Sequence, residues 1–171
     1  MGWVVAIQWF SAYSIEKYHV TQAKVTTVFV LLGIVWTIGS SVINRILIQR
    51  YKIASICVAG LFLISVCFGI GFKSPTFEIF SVFYLLSSLI AAFVWSNIVN
   101  LISISASNEV QGKIMGVGQS MMSCSQILGP ILAGLVAIYQ LGDLFLYAAL
   151  FVFVSFFLLL LRQVLMKKRV E

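Results

Sequence analysis

The side chains that could engage a ligand within the apolar stretches of this chain are amides and indoles. They are Gln8, Asn97, Asn100, Gln119 and Gln126, with Trp9, Trp36 and Trp95. Amides donate and accept hydrogen bonds without ionising, and an indole offers a wide apolar face with a single N–H donor. Such a set can tie helices to one another by hydrogen bonds or recognise a small molecule by contact. Bond-breaking chemistry lacks its parts. The single histidine, His19, lies in a polar segment, so no Ser/His/Asp triad can be assembled inside the apolar stretches. Cys57, Cys67 and Cys124 have no Cys-x-x-Cys spacing and no histidine beside them, which argues against a metal centre. No Walker loop and no dinucleotide fingerprint is present, and Gly112, Gly116 and Gly118 form a helix-packing pattern. The residues therefore argue against an enzyme and call for no cofactor.

The elements holding these side chains are written for lipid. Hydrophobic residues make up 61% of the chain and charged residues 9%, against about 25% charged in a soluble domain. The charges cluster between long apolar runs. Arg45, Arg50 and Lys52 separate two of them, Lys73 and Glu78 the next two, Glu109 and Lys113 the next, Asp143 precedes the last, and Arg162, Lys167, Lys168 and Arg169 close the chain. An ion at the bilayer centre costs at least ~2.5 kcal/mol, so this layout places the chain in a membrane. The net charge of +6 does not indicate nucleic acid, because the basic residues are few and dispersed over segment ends.

A helix crosses the hydrocarbon in about 20 residues. Six spans are predicted: Met1–Ile15, Val25–Ile43, Ile53–Phe72, Ile79–Ser105, Ile114–Gln140 and Leu144–Leu161. Six spans put both termini on one side. That side takes eight Lys and Arg residues (Arg45, Arg50, Lys52, Lys113, Arg162, Lys167, Lys168 and Arg169) and the other takes Lys17, Lys24 and Lys73. The excess predicts cytoplasmic termini. The first span is short and has no basic residue before it, so the chain reads as beginning inside something longer.

Small residues mark expected seams. Gly112, Gly116, Ser120 and Cys124 recur every fourth residue on one face of the fifth span, where another backbone could approach closely. Gly129-Pro130 predicts a kink near Leu128, and Gly134 continues the small face. Gly33 and Gly39 give the second span a similar character. Ser74-Pro75 fits a helix start, Asn108 and Gln111 have capping-box spacing, and Asp143 suits the positive end of a helix. No Asp, Glu, Lys, Arg or His lies deep in a span, so a carboxylate relay for ion coupling must come from elsewhere or be absent.

Two segments resemble a known family. Asn44 to Lys52 looks like the basic loop between the eighth and ninth helices of major facilitator superfamily transporters. Asn108 to Gly116, running on to Leu128, Gly129, Pro130 and Gly134, resembles their eleventh helix and is closest to the drug and tetracycline efflux branch. The resemblance covers the whole chain as helices seven to twelve, a single domain over residues 1–171. It implies an all-α membrane protein of six transmembrane helices. This would be one half of a twelve-helix fold built from 3+3 inverted repeats, working by alternating access in the plasma (inner) membrane. The partners it implies are the lipid bilayer, a small-molecule substrate and the missing N-terminal half, on the same or a separate chain, and the activity it implies is efflux by an antiporter. By helix position it implies cavity walls from spans 1, 2, 4 and 5. Gln8, Trp9, Trp36, Trp95, Asn97 and Gln119 become the expected substrate contacts, with Arg45, Arg50 and Lys52 in a cytoplasmic loop. The alternatives are an uptake carrier, a non-transporting assembly partner and a homodimer of halves.

Overall fold

A computed structural model describes residues 2–107, 109–140 and 143–168, and among these every regular element is helical. The helices are α1 (Gly2–Tyr18), α2 (Gln22–Ile38), α3 (Asn44–Arg50), α4 (Ile53–Phe72), α5 (Phe77–Ile104), α6 (Gln111–Gln140) and α7 (Leu144–Lys168), with a π-helical turn, Gly39–Ile43, joining α2 to α3. Five helices are long and apolar enough to cross a membrane, counting Gln22–Arg50 as one. With 17 residues, α1 is shorter than these five and is not among them.

The second span is longer than its hydropathy suggested. Asn44–Arg50 is helix rather than loop, so Arg45 and Arg50 are exposed on a helical extension and Lys52 stands at the N-cap of α4. The reason is local. Nothing from Asn44 to Arg50 breaks a helix, and only the extended backbone at Tyr51 and Lys52 turns the chain. Between α2 and α3 the π-turn is supported by hydroxyls, since Ser40 and Ser41 both donate to the Thr37 carbonyl. Gly39 occupies this turn because α5 runs against it. A Cβ there would sit 2.5 Å from the Leu89 carbonyl oxygen and 3.0 Å from the Ala92 Cβ.

One other boundary differs from expectation. α5 is capped by Thr76, whose hydroxyl accepts from the Ile79 amide, while Ser74 closes α4 by donating to the Ile70 carbonyl. The proline at 75 explains the shift, because it disfavours helix at the residue before it. Gln111 donates to the Ser103 hydroxyl and so ties α6 to α5. Its expected capping partner, Asn108, lies outside the described residues, as does Arg169. Asp143 does stand immediately before α7.

α4 packs most closely against α5 and α7, α1 lies on α7 and α6, and α2 on α5. At one end the core is aromatic. Phe10 stacks on Tyr84 with centroids 4.2 Å apart, Phe80 meets Phe145 edge-on at 4.9 Å, and Tyr13 packs on Phe145 at 4.6 Å. These rings come from the C-terminal half of α1 and the N-terminal parts of α5 and α7, which places them at the end opposite Arg50, Lys113 and Arg162. Lys17 closes the same end. Its ammonium donates to the Phe72 carbonyl at 2.7 Å and to the Tyr13 hydroxyl at 2.8 Å, where a cation satisfies the end of α4. His19 follows α1 with φ of 51° and its amide on the Ile15 carbonyl, the left-handed position that ends a helix.

Candidate functional site

One large cavity, 760 Å³, opens among the helices. α1 contributes Trp3, Val4, Ile7 and Gln8, and α2 contributes Leu32 and Trp36. α5 supplies Ala91, Val94, Trp95 and Ile98, and α6 supplies Met122, Ser125 and Gln126. Leu61 and Ile64 of α4 and Val152 of α7 complete the lining. The four helices expected to form the walls do so, with α4 and α7 behind them.

The aromatic part is built around Trp3. Its ring lies 6.1 Å from both Tyr84 and Phe68, stacked on each at interplanar angles of 8° and 14°. Trp36 meets it at 5.6 Å, tilted by 34°. Trp95, 43% exposed, stands apart as an open aromatic face. Stacking against buried rings holds Trp3 in one orientation, so this wall is preformed. The polar groups of the lining are the Gln8 and Gln126 amides, the Ser125 hydroxyl and the indole N–H groups. No charged side chain contributes to the lining. The site can hold a flat apolar molecule and orient it with a few hydrogen bonds.

Pro130 adds an acceptor. It sits inside α6 and has no N–H, so the Gln126 carbonyl, four residues earlier, loses its ordinary helical donor. Gln126 is also the α6 amide that lines the cavity. One residue thus brings both an amide side chain and a backbone oxygen without its usual partner.

Three of the six expected contacts line the cavity: Gln8, Trp36 and Trp95. The other three do not. Trp9 is half-buried and packs against α6, where a Cβ on Gly134 would lie 3.7 Å from its ring. Asn97 is 2% exposed and turned away, donating to the Asn44 side chain at 2.6 Å and to the Phe93 carbonyl at 2.7 Å. It therefore ties α5 to α3. Gln119 is exposed and lies two helical turns from Gln126 toward the start of α6. Trp3 and Gln126 took no part in the expected set. Helical spacing puts Trp3 and Ile7 on one face and Val4 and Gln8 on the adjacent strip, but α1 is apolar all round, so nothing in the sequence marked that face as inward.

The small residues divide as well. Gly129 is buried against Val4, and Gly39 is pressed on α5. Gly33, Gly112 and Gly116 have nothing within 4 Å of where a Cβ would stand. The expected seam along the first half of α6 is therefore unused within this chain. Cys57 and Cys67 are buried, Cys124 is exposed, and all three are free thiols. Among the described residues no group of three His, Cys, Asp or Glu side chains could hold a metal ion.

Comparison with curated proteins and with solved structures finds no match. A family model, that of the Major Facilitator Superfamily, matches residues 1–170. The chain belongs to the Major Facilitator Superfamily, whose members are membrane transporters rather than enzymes.

Proposed function

We propose that this chain is the C-terminal six-helix half of a secondary active transporter, and that its cargo is a largely apolar, aromatic small molecule moved outward. The observation that carries the cargo is the lining of the 760 Å³ cavity, with Trp3, Trp36 and Trp95 around a few amides and no charge. A sugar needs many hydrogen-bonding partners at once, and these walls offer few. Aromatic faces reward a flat hydrophobic molecule instead, and the Gln8 and Gln126 amides suit a ligand carrying one or two polar groups.

The half reading is supported by the open faces. The exposed glycines Gly33 on α2, and Gly112 and Gly116 on α6, lie on the two most exposed long helices, which flank the cavity. A second six-helix half laid against them would complete the wall and bring the coupling residues that the cavity lacks. The aromatic core and Lys17 seal one end, and the cavity lies toward the other, as one state of an alternating-access cycle requires. The eight-to-three distribution of basic residues supports cytoplasmic termini in a plasma membrane, which makes the open end the cytoplasmic one.

Binding tests the reading without requiring transport. The full chain in lipid nanodiscs is titrated with a neutral aromatic dye and, separately, with a hexose, while tryptophan fluorescence is followed. Saturable quenching by the dye is expected, with affinity about tenfold weaker in Trp36→Ala through loss of one aromatic contact. Saturation by the hexose, or a dye affinity indifferent to Trp36, would contradict it.

A further inference from the structure

The face of α5 that carries Trp95 continues past Ile98 into a second cleft of 220 Å³. Leu101, Ile102 and Ser105 of α5, Ile114 of α6, and Leu159 and Arg162 of α7 line it. All of it but Ser105 and the guanidinium is hydrocarbon. Arg162 stands ten residues beyond Val152, so the cleft lies about 15 Å further along α7 than the cavity wall.

This is the basic end of the bundle. The helices alternate in direction, which brings Arg50 at the end of α3, Lys52 before α4, Lys113 in the first turn of α6 and Arg162 near the end of α7 to one membrane face. Arg162 is exposed, and no carboxylate of the described residues pairs with it. The ion pair the described residues do form joins Lys24 to Glu78 at the opposite end. An arginine in this setting lays its methylenes along the apolar wall and holds its guanidinium at the lipid headgroups. The planar fork then faces the layer where phosphates are, and it matches a phosphate with two parallel hydrogen bonds.

The seam between α5 and α6 is thinly packed and is held at this end by the Gln111–Ser103 hydrogen bond. An apolar slot beneath a cation at a membrane surface is complementary to one kind of molecule, with an anionic head and a hydrocarbon tail. We propose that this cleft binds an anionic phospholipid, with its phosphate on Arg162 and the first part of one acyl chain between α5 and α6. The lipid would wedge apart the two helices that carry Trp95 and Gln126, and so help set the width of the cavity. The site follows from the membrane setting of the chain and stands whether or not the cargo has been identified correctly.

The test uses the full chain in a neutral detergent, with dioleoylphosphatidylglycerol as probe and dioleoylphosphatidylcholine as reference, read by native mass spectrometry. One phosphatidylglycerol should be retained in preference to phosphatidylcholine. Arg162→Ala should weaken retention about fivefold, one basic side chain's share at a membrane surface. Arg50→Ala removes the same charge from the same end and should leave retention unchanged. Ile114→Trp should fill the slot and weaken retention with the charge intact. Arg162 is exposed, so its variant keeps the fold even if Ile114→Trp does not, and the two arginine variants then decide. Equal losses in the two arginine variants would mean diffuse attraction and would overturn the site. Full displacement of the lipid by inorganic phosphate, or undiminished retention in Arg162→Ala, would overturn it as well.

Discussion

Of the two indoles on α1, Trp3 lines the cavity and Trp9 does not, although both lie on an apolar helix that gives no amphipathic cue. Each residue turns a helix by about 100°, so Trp9 next to Gln8 already faces a different neighbour. In lipid both faces of a helix are apolar, and composition cannot say which is inward. Asn97 shows the same limit. Trp95 and Asn97 stand about 200° apart on α5, and only Trp95 meets the cavity, while Asn97 is spent on Asn44. Asn97→Ala should therefore cost about 1 kcal/mol of stability, the scale of a hydrogen bond between membrane helices. A lowered melting temperature with unchanged dye affinity is the expected result. A fall in affinity at unchanged stability would return Asn97 to the cargo. The amides and indoles that line the cavity, Gln8, Gln126, Trp36 and Trp95 among them, are residue types that stand out in the apolar runs of the sequence.

At the scale of elements, the apolar runs correspond closely to α1, α2, α4, α5, α6 and α7, because the cost of an ion in lipid confines charges to helix ends. What hydropathy could not mark was the end of the second span. The helix continues through Arg45 to Arg50 because polar residues leave the membrane without leaving the helix. The glycine pattern was equally two-valued. A small residue permits close approach, but only the fold says whether a neighbour takes the space. Gly39→Ala should cost about 1–3 kcal/mol, since its Cβ meets the Leu89 carbonyl oxygen and neither backbone can easily move. Gly33→Ala meets nothing and should be neutral, or stabilising by a few tenths to about 1 kcal/mol through helix propensity. Thermal unfolding of the two variants in detergent compares them directly. Equal effects would show that the contact of α5 with the π-turn does not hold the bundle.

At the scale of the molecule, the chain combines an aromatic, sealed end, a cavity without charge, and a basic end with open helix faces. Its family and its membrane setting could be read from residue order and spacing, because the signature of α6 and the charge layout are local in sequence. The unfilled faces could not, since they are defined by what does not pack against them. These faces make a strong demand. A six-helix wall with its small residues uncovered should be found against a second, different six-helix domain. The direct measurement is the native mass of the assembly that carries this chain, extracted from its own membranes in mild detergent, with every polypeptide in it identified. That assembly should hold this sequence together with a second, non-identical six-helix domain, in one polypeptide or in one complex, at a protein mass of at least about twice 19.0 kDa. A species of 19.0 kDa alone, or copies of this chain and nothing else, would contradict it.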